Sequence, residues 1–362
     1  MRLRRATIEN FKRFAPPGIE LDFCNTALGE VADRFLVLGD NGSGKTTVLQ
    51  AIAVTLALAA HKISDVGGLW WKGWMPERYF AHDNPVVQVE VELTEDEIEA
   101  TQQAARRWSD VMHIGREFVL PGTSRVIKLR LEGARVRAEG GREELHQLRG
   151  RYYVATALNK INDPELRALF ARLPGVFWYD QYRTVALSAR DELDRQGPST
   201  FANGIDKLDK ILRSWHETRR ARGPHPTADY LGDLEQRYSA VFPGRSFAGL
   251  EPVYSGSAPT PDDNRFVLSD GKRTYALAEM SAGEQAIFPI LFEFVRQQIH
   301  RSVVLIDEVD LNLHPPLAQM LLGLLPRLGE ANQFLFTTHA SVVSTLMSPY
   351  AIHRLQGGHL CL

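Results

Sequence analysis

Gly39-Asp40-Asn41-Gly42-Ser43-Gly44-Lys45-Thr46 has the spacing G-x-x-x-x-G-K-[ST] of a phosphate-binding loop. The flanking residues supply the setting that such a loop needs. Arg34-Phe35-Leu36-Val37-Leu38 reads as a buried strand, and Thr47 to Ala60, rich in Ala, Leu and Val, reads as the helix that follows. Glycines let the backbone curl until successive N–H groups point at phosphate oxygens, and the helix N-terminus adds partial positive charge there. Gly39, Asn41, Gly42, Ser43, Gly44 and Thr47 are the candidates to line that cradle. Lys45 would reach the β- and γ-phosphates, and the Thr46 hydroxyl would ligate Mg²⁺. A glycine-rich surface turn would not need Lys and Thr in those two places.

Around this loop lie 362 residues, 44% hydrophobic and 24% charged, enough for a sizeable core in one large or two modest domains. The net charge of −2 means that any nucleic-acid contact would come from a local patch. Cys24 and Cys361 stand far apart and suggest neither a metal cluster nor a disulfide framework. The basic start Met1-Arg2-Leu3-Arg4-Arg5 has no apolar signal core behind it, and the run Ala51 to Ala60 is too short to cross a bilayer. A cytoplasmic chain with no membrane partner is expected.

Upstream of the loop, Leu3 to Phe11 and Ile19 to Phe23 read as a β-hairpin. Lys12, Arg13 and Phe14 follow its first strand, where a cationic or planar group can stack on adenine. Downstream, Trp70-Trp71-Lys72-Gly73-Trp74 reads as core or interface. Val86 to Leu93 alternates as a strand, and Thr94 with Glu97 forms a capping box for a helix through Arg107. Arg116 to Arg137 reads as a small antiparallel sheet, and the arginines from Arg125 to Arg151 read as a solvated face with glutamates interleaved. Ile205 to Arg222 and Leu231 to Phe242 have helical spacing. Arg265 to Leu277 is a hairpin turning at Ser269-Asp270-Gly271-Lys272.

Three further stretches carry chemistry. Val303-Val304-Leu305-Ile306-Asp307-Glu308 is a buried strand closed by two carboxylates, with Asp307 placed to hold Mg²⁺ and Glu308 to orient or deprotonate the attacking water. Met280-Ser281-Ala282-Gly283-Glu284-Gln285 opens an apolar helix, with Ser281 as N-cap and Glu284 completing a capping box; such a helix start is an anion site. Phe334-Leu335-Phe336-Thr337-Thr338-His339 is a strand ending in a histidine, where a sensor of the γ-phosphate would stand.

The ordered set Gly39–Thr46, Ser281–Gln285, Ile306-Asp307-Glu308 and Thr338-His339 resembles an ABC-type ATPase head. More narrowly it is similar to the SMC, RecF and OLD-related branch, whose usual opening Ile8-Glu9-Asn10-Phe11-Lys12-Arg13-Phe14 matches. It is most similar to the compact bacterial AAA/ABC ATPases of antiphage defence (Septu or retron type) and genome maintenance. The resemblance implies ATP and Mg²⁺ as cofactors, with heads paired head-to-tail as a homodimer. Each nucleotide would lie between one copy's Lys45 loop and the other copy's Ser281, Ala282, Gly283, Glu284 and Gln285. It also implies that Leu313-His314-Pro315 puts His314 in the intersubunit D-loop. Gln181 resembles the glutamine that senses Mg²⁺ and the attacking water.

The chain has no long heptad segment, so it lacks the coiled-coil arms of a full SMC protein. About two dozen residues follow His339, too few for an OLD-type nuclease domain. The expected fold is α/β: a P-loop NTPase built as an ABC-ATPase head. Its mixed α/β lobe I spans 1–196 and 299–362, with a β insertion at about 86–150, and its mainly helical lobe II spans 197–298. The expected function is an ATP-hydrolysing dimer switch acting in antiphage defence with an effector such as a nuclease encoded nearby. A DNA repair ATPase of RecF type and a nucleotide-dependent scaffold without significant hydrolysis are the alternatives, and nucleic acid is a possible partner.

Overall fold

A computed structural model of the chain describes residues 1–25, 29–79, 84–115, 118–181, 201–222, 229–253, 264–311 and 313–356. Its contacts fall into two compact units. The first is Met1–Gln181 with Gln298–Asp310 and Leu325–Leu362; the second is Tyr182–Gln297 with Leu311–Leu324.

Apolar residues buried on both faces of a strand favour a parallel sheet covered on both sides. The first unit builds such a sheet from β5 (Arg34–Leu38), β9 (Val176–Tyr179), β13 (Val303–Ile306), β14 (Gln333–Thr338) and β15 (Ile352–Arg354), numbering strands in chain order. Every pairing is parallel, in the order β15-β5-β14-β13-β9. A second sheet is antiparallel: β1 (Arg2–Glu9), β2 (Ile19–Asp22), β6 (Val86–Glu92), β7 (Val126–Glu132) and β8 (Arg135–Ala138), in the order β2-β1-β6-β7-β8. A two-stranded ribbon, β3 (Cys24–Asn25) and β4 (Glu30–Val31), sits beside it. The stretch at 86–150, expected as an insertion, is built into this sheet, because β6 pairs directly with β1.

Helix α1 (Lys45–Ala59) is apolar on all sides and buried along nearly its whole length, as a helix between two layers must be. It packs against β1, β6, β7 and β8 on one side and β9, β13 and β14 on the other. Gln333, fully buried at the start of β14, ties the two sheets together. Its amide accepts from Leu3 N at 2.6 Å and donates to Leu3 O at 3.1 Å and Ala32 O at 3.0 Å. Helix α2 (Glu95–Met112) starts at the expected Thr94–Glu97 capping box and runs one turn beyond Arg107. Its small residues Ala100, Ala104 and Ala105 let α3 (Gly150–Leu158) approach closely through Tyr153, Val154 and Ala157.

On β7, Ile127, Leu129 and Leu131 are buried while Lys128, Arg130 and Glu132 alternate to the exposed side. Arg125, Lys128 and Arg130 pair there with Glu95, Glu139 and Glu132. Arg151 departs from this face. Burial disfavours its charge, and Leu173 O, Phe170 O and Gln298 O accept from its guanidinium while Phe170 and Phe177 lie against it.

The second unit holds helices α4 (Phe201–Arg222), α5 (Tyr230–Val241), α6 (Ala282–Arg296) and α7 (Pro315–Leu324). It also carries a three-stranded antiparallel sheet of β10 (Ser246–Pro252), β11 (Asn264–Ser269) and β12 (Thr274–Ala276). The hairpin β11–β12 turns on Asp270, whose carboxylate accepts from Lys272 N and Arg273 N. The expected boundary at 196/197 lies outside the described residues, as does Cys361. Leu311–Leu324, placed in lobe I by the sequence reading, groups with the second unit. No helix among the described residues is long and apolar enough to cross a membrane.

Candidate functional site

The loop after β5 leaves the first turn of α1 open. Gly44 is the N-cap, with a left-handed φ of 102°, no side chain caps the helix, and no acidic residue occupies its first turn. A helix start of this kind offers its first N–H groups to an anion. A Cβ on Gly44 would stand 2.6 Å from Arg13 Cδ and 2.8 Å from Phe14 Cζ, so the hairpin end closes onto the loop where glycine alone fits. At Gly39 a Cβ would meet Ser43 Oγ at 2.5 Å. Ser43 Oγ itself is buried and has no hydrogen-bond partner among the described residues. Lys45 is buried, and its ammonium donates to Gly39 O at 2.8 Å and Asp40 O at 3.0 Å, curled back onto its own loop. Asn41 and Gly42 are exposed at the tip, and Thr47 is half-buried beside Thr46.

The carboxylates arrive from the far end of the chain. Thr46 Oγ1 lies 3.0 and 2.8 Å from the two oxygens of Asp307, which is itself buried. Thr337 donates to Asp307 Oδ1 at 2.6 Å and accepts from Glu308 N at 2.7 Å. Glu308 takes a left-handed φ of 45° and remains half-buried. A hydroxyl and a carboxylate are hard oxygen ligands. With phosphate oxygens and water they suit Mg²⁺, which uses few protein ligands. An orphaned buried hydroxyl, an uncapped helix start and this oxygen pair together fit a magnesium-bound triphosphate.

Register sets the rest of the sheet edge. Thr338 pairs with Leu38, so His339 stands level with Gly39, one residue past the strand, and it is exposed. Ile306 pairs with Tyr179, so Gln181 follows β9 at the step where Glu308 follows β13. Four adjacent strands thus present Gly39, His339, Glu308 and Gln181 at their carboxyl ends, the edge where open α/β sheets bind ligands. Lys12 is turned away from this edge. Its ammonium donates to Gln50 Oε1 at 2.6 Å and lies 4.8 Å from the Trp74 ring centroid, and burial with Arg78 nearby pushes its pKa down to about 8. Arg13, not Lys12, lies against the loop.

Ser281, Ala282, Gly283, Glu284 and Gln285 belong to the second unit, as does the exposed His314. Ser281 caps α6 and forms the expected capping box with Glu284. Ser281 and Ala282 are exposed, while Glu284 is buried. Its carboxylate accepts from Ser281 N at 2.9 Å, Ser281 Oγ at 2.7 Å, Tyr275 OH at 2.7 Å and the Tyr238 hydroxyl, with Arg245 at 3.2 Å. Desolvation works to raise its pKa, but the hydrogen bonds from Ser281, Tyr238 and Tyr275 prevail and hold it below the usual range.

The sequence reading missed Thr337 and Asp310. Asp310 Oδ1 accepts from Thr338 Oγ1 at 2.5 Å, and Thr338 Oγ1 accepts from Ala340 N, fixing the turn that carries His339. A hydroxyl at position 337, inside a fully buried strand, was the available signal.

A family model described as an AAA domain matches residues 5–218, more than half of the chain. A second, described as "AAA domain, putative AbiEii toxin, Type IV TA system", matches residues 186–344. No curated protein sequence matches. Among solved structures, the SmcHead bound to the C-winged helix domain of ScpA is similar over 96% of this chain and 92% of its own, at 15% identity and a TM-score of 0.52. The SMC head domain from Thermotoga maritima is similar over 98% and 94%, at 16% identity and a TM-score of 0.47. At this identity the first of these likenesses establishes the fold, that of an SMC head.

Proposed function

Since the chain belongs to the AAA-domain family, we propose that it binds ATP with Mg²⁺ at the Gly39–Thr46 loop and hydrolyses it as a nucleotide-driven dimer switch. The observation that carries this reading is the bond between Thr46 and Asp307, residues 261 positions apart. Such a pair of hard oxygen groups would serve metal binding. Lys45 would leave the Gly39 and Asp40 carbonyls for phosphate oxygens, so the resting contacts hold the ammonium in place for its ligand. Thr46 and Asp307 would hold Mg²⁺, which when bound neutralises charge developing on the phosphates. Glu308 would accept the proton of a water attacking the γ-phosphorus, with Gln181 and His339 orienting water and phosphate. Arg13 is the candidate to cover the adenine.

In the dimer, Ser281–Gln285 of one copy would close on the nucleotide held by the other, with His314 at the seam. The biological role that fits best is antiphage defence with a partner effector, a nuclease from the same operon. A role in DNA repair of RecF type is the second reading, favoured by the SMC-head fold. ATP-dependent, salt-sensitive DNA binding separates the two. A scaffold that binds nucleotide without hydrolysis is the third.

Phosphate release from the full chain tests the core of the proposal. Glu308→Gln is expected to cut turnover about a hundredfold or more while nucleotide still binds. Lys45→Ala is expected to weaken ATP affinity at least about tenfold. Turnover in Glu308→Gln equal to the parent would remove Glu308 from its role. Unchanged affinity in Lys45→Ala would end the assignment of the loop.

A further inference from the structure

We propose that Thr337 is the positioning residue that sets both carboxylates of the site from a single hydroxyl. The inference rests on the ATPase reading and deepens it. Thr337 is fully buried in β14, following Phe334, Leu335 and Phe336, where valine would fill the same space. Its hydroxyl has one proton and the direction of both bonds is forced. The hydroxyl accepts from the Glu308 amide, so its own proton goes to the Asp307 carboxyl oxygen at 2.6 Å. The amide of Glu308 can only donate, so it takes the hydroxyl's lone pair at 2.7 Å. The main chain repeats the grip one residue on, with Val309 N donating to Thr337 O at 3.0 Å.

These bonds have separate consequences. The bond to Asp307 is short and engages Oδ1, so it restrains the rotation of a carboxylate whose two oxygens both lie within reach of Thr46. The bond to Glu308 N holds a non-glycine residue at φ 45°, a conformation that needs support from its surroundings. That turn decides where the Glu308 carboxylate points. One atom of β14 thereby couples the metal ligand to the base, and His339 follows one residue after the strand.

Thr337→Val removes the hydroxyl and keeps the shape, and Thr337→Ser restores the hydroxyl without the methyl. Three quantities are read on the full chain: turnover, affinity for ATP without divalent metal, and Mn²⁺ affinity in the presence of ATP by electron paramagnetic resonance. For Thr337→Val, turnover is expected to fall about tenfold or more, as misplacement of catalytic groups does. Mn²⁺ binding should weaken at least about threefold, as loss of a partner behind a metal ligand does, with metal-free ATP affinity unchanged. Thr337→Ser is expected to recover both. Thr337→Ala carries the same test if the valine variant fails to fold. Parent-like turnover and Mn²⁺ affinity without the hydroxyl would overturn the proposal. Equal losses in the serine and valine variants would also overturn it, by assigning the effect to the methyl group. An inactive parent would defeat the ATPase reading instead, and the Mn²⁺ titration would still decide the role of Thr337.

Discussion

Lys12 carries a conflict between its charge and its surroundings. Its ammonium is held by Gln50 and faces Trp74, yet burial outweighs both and pushes its pKa down to about 8, from 10.5 in the ordinary range. Below about pH 8 folded and unfolded chains both keep the proton, so the folded state bears the full cost of a buried charge. Between about 8 and 10.5 the unfolded chain still binds the proton and the folded chain does not, so stability rises with pH. Lys12→Met keeps the stem and removes the titration. The difference in unfolding free energy, parent minus variant, is therefore expected to grow in favour of the parent from pH 7.5 to pH 9.5 in urea titrations. A flat difference would mean that Lys12 does not titrate in that window. Sequence showed Lys12 and Arg13 as equal candidates for the nucleotide. Which of the two turns inward depends on Gln50 and Trp74, which come from elsewhere in the chain. Thr337 was only half legible for the same reason: a hydroxyl in an apolar strand marks it, but its partners lie about thirty residues upstream.

Elements were legible where their signals are local. Both capping boxes, Thr94–Glu97 and Ser281–Glu284, stand where the spacing put them, because an N-cap and its third residue meet within one turn. The alternation of β6 and β7 and the Asp270 turn were readable on the same grounds. Strand β10 was not. A register shift between Phe247 and Gly249, with Gly249 at φ 101°, breaks its alternation. Strand β15 is three residues long at the sheet edge, too short to show a period. The bond between sheets was also hidden, since Gln333 looks like one polar residue ahead of an apolar strand. Its amide instead serves Leu3 N, Leu3 O and Ala32 O, all backbone groups. Gln333→Leu keeps the bulk and strands those groups in the interior. It is expected to destabilise the chain by about 2–4 kcal/mol, the cost of leaving buried backbone groups unpaired. Chemical denaturation checks it. A change under about 0.5 kcal/mol, the range of surface substitutions, would mean that water or a shifted strand replaces the amide.

At the scale of the whole molecule the chain crosses between units repeatedly, and the short return of Leu311–Leu324 to the second unit was beyond sequence reading because no break in composition marks it. The carboxyl edge of the parallel sheet was legible, since the Gly39–Thr46 loop, the Asp307–Glu308 pair and the Thr338–His339 pair each end a strand or open a helix there. The residues Ser281 to Gln285 are different in kind. Ser281 and Ala282 are exposed at the start of a fifteen-residue helix whose inner side is anchored by the buried Glu284. If a second copy's nucleotide is their ligand, ATP must drive association, and linkage sets the size of the effect. A saturating nucleotide that the closed dimer binds about one hundredfold more tightly than the monomer contributes about 2.7 kcal/mol per site. Two sites then shift the dimerisation constant by about 10⁴-fold. Glu308→Gln, which traps the bound state, is expected to elute as a dimer with ATP and as a monomer without it, at the same micromolar concentration. Ser281→Arg puts a long cation on the exposed cap and is expected to stay monomeric with ATP while nucleotide affinity at the Lys45 loop is kept. Ser281→Thr retains the capping oxygen and should dimerise as the parent serine does, which separates loss of the cap from loss of the interface. Elution of Glu308→Gln that is indifferent to ATP across a hundredfold range of protein concentration would rule out the nucleotide-driven dimer. The Lys45 loop would then serve a single chain acting alone.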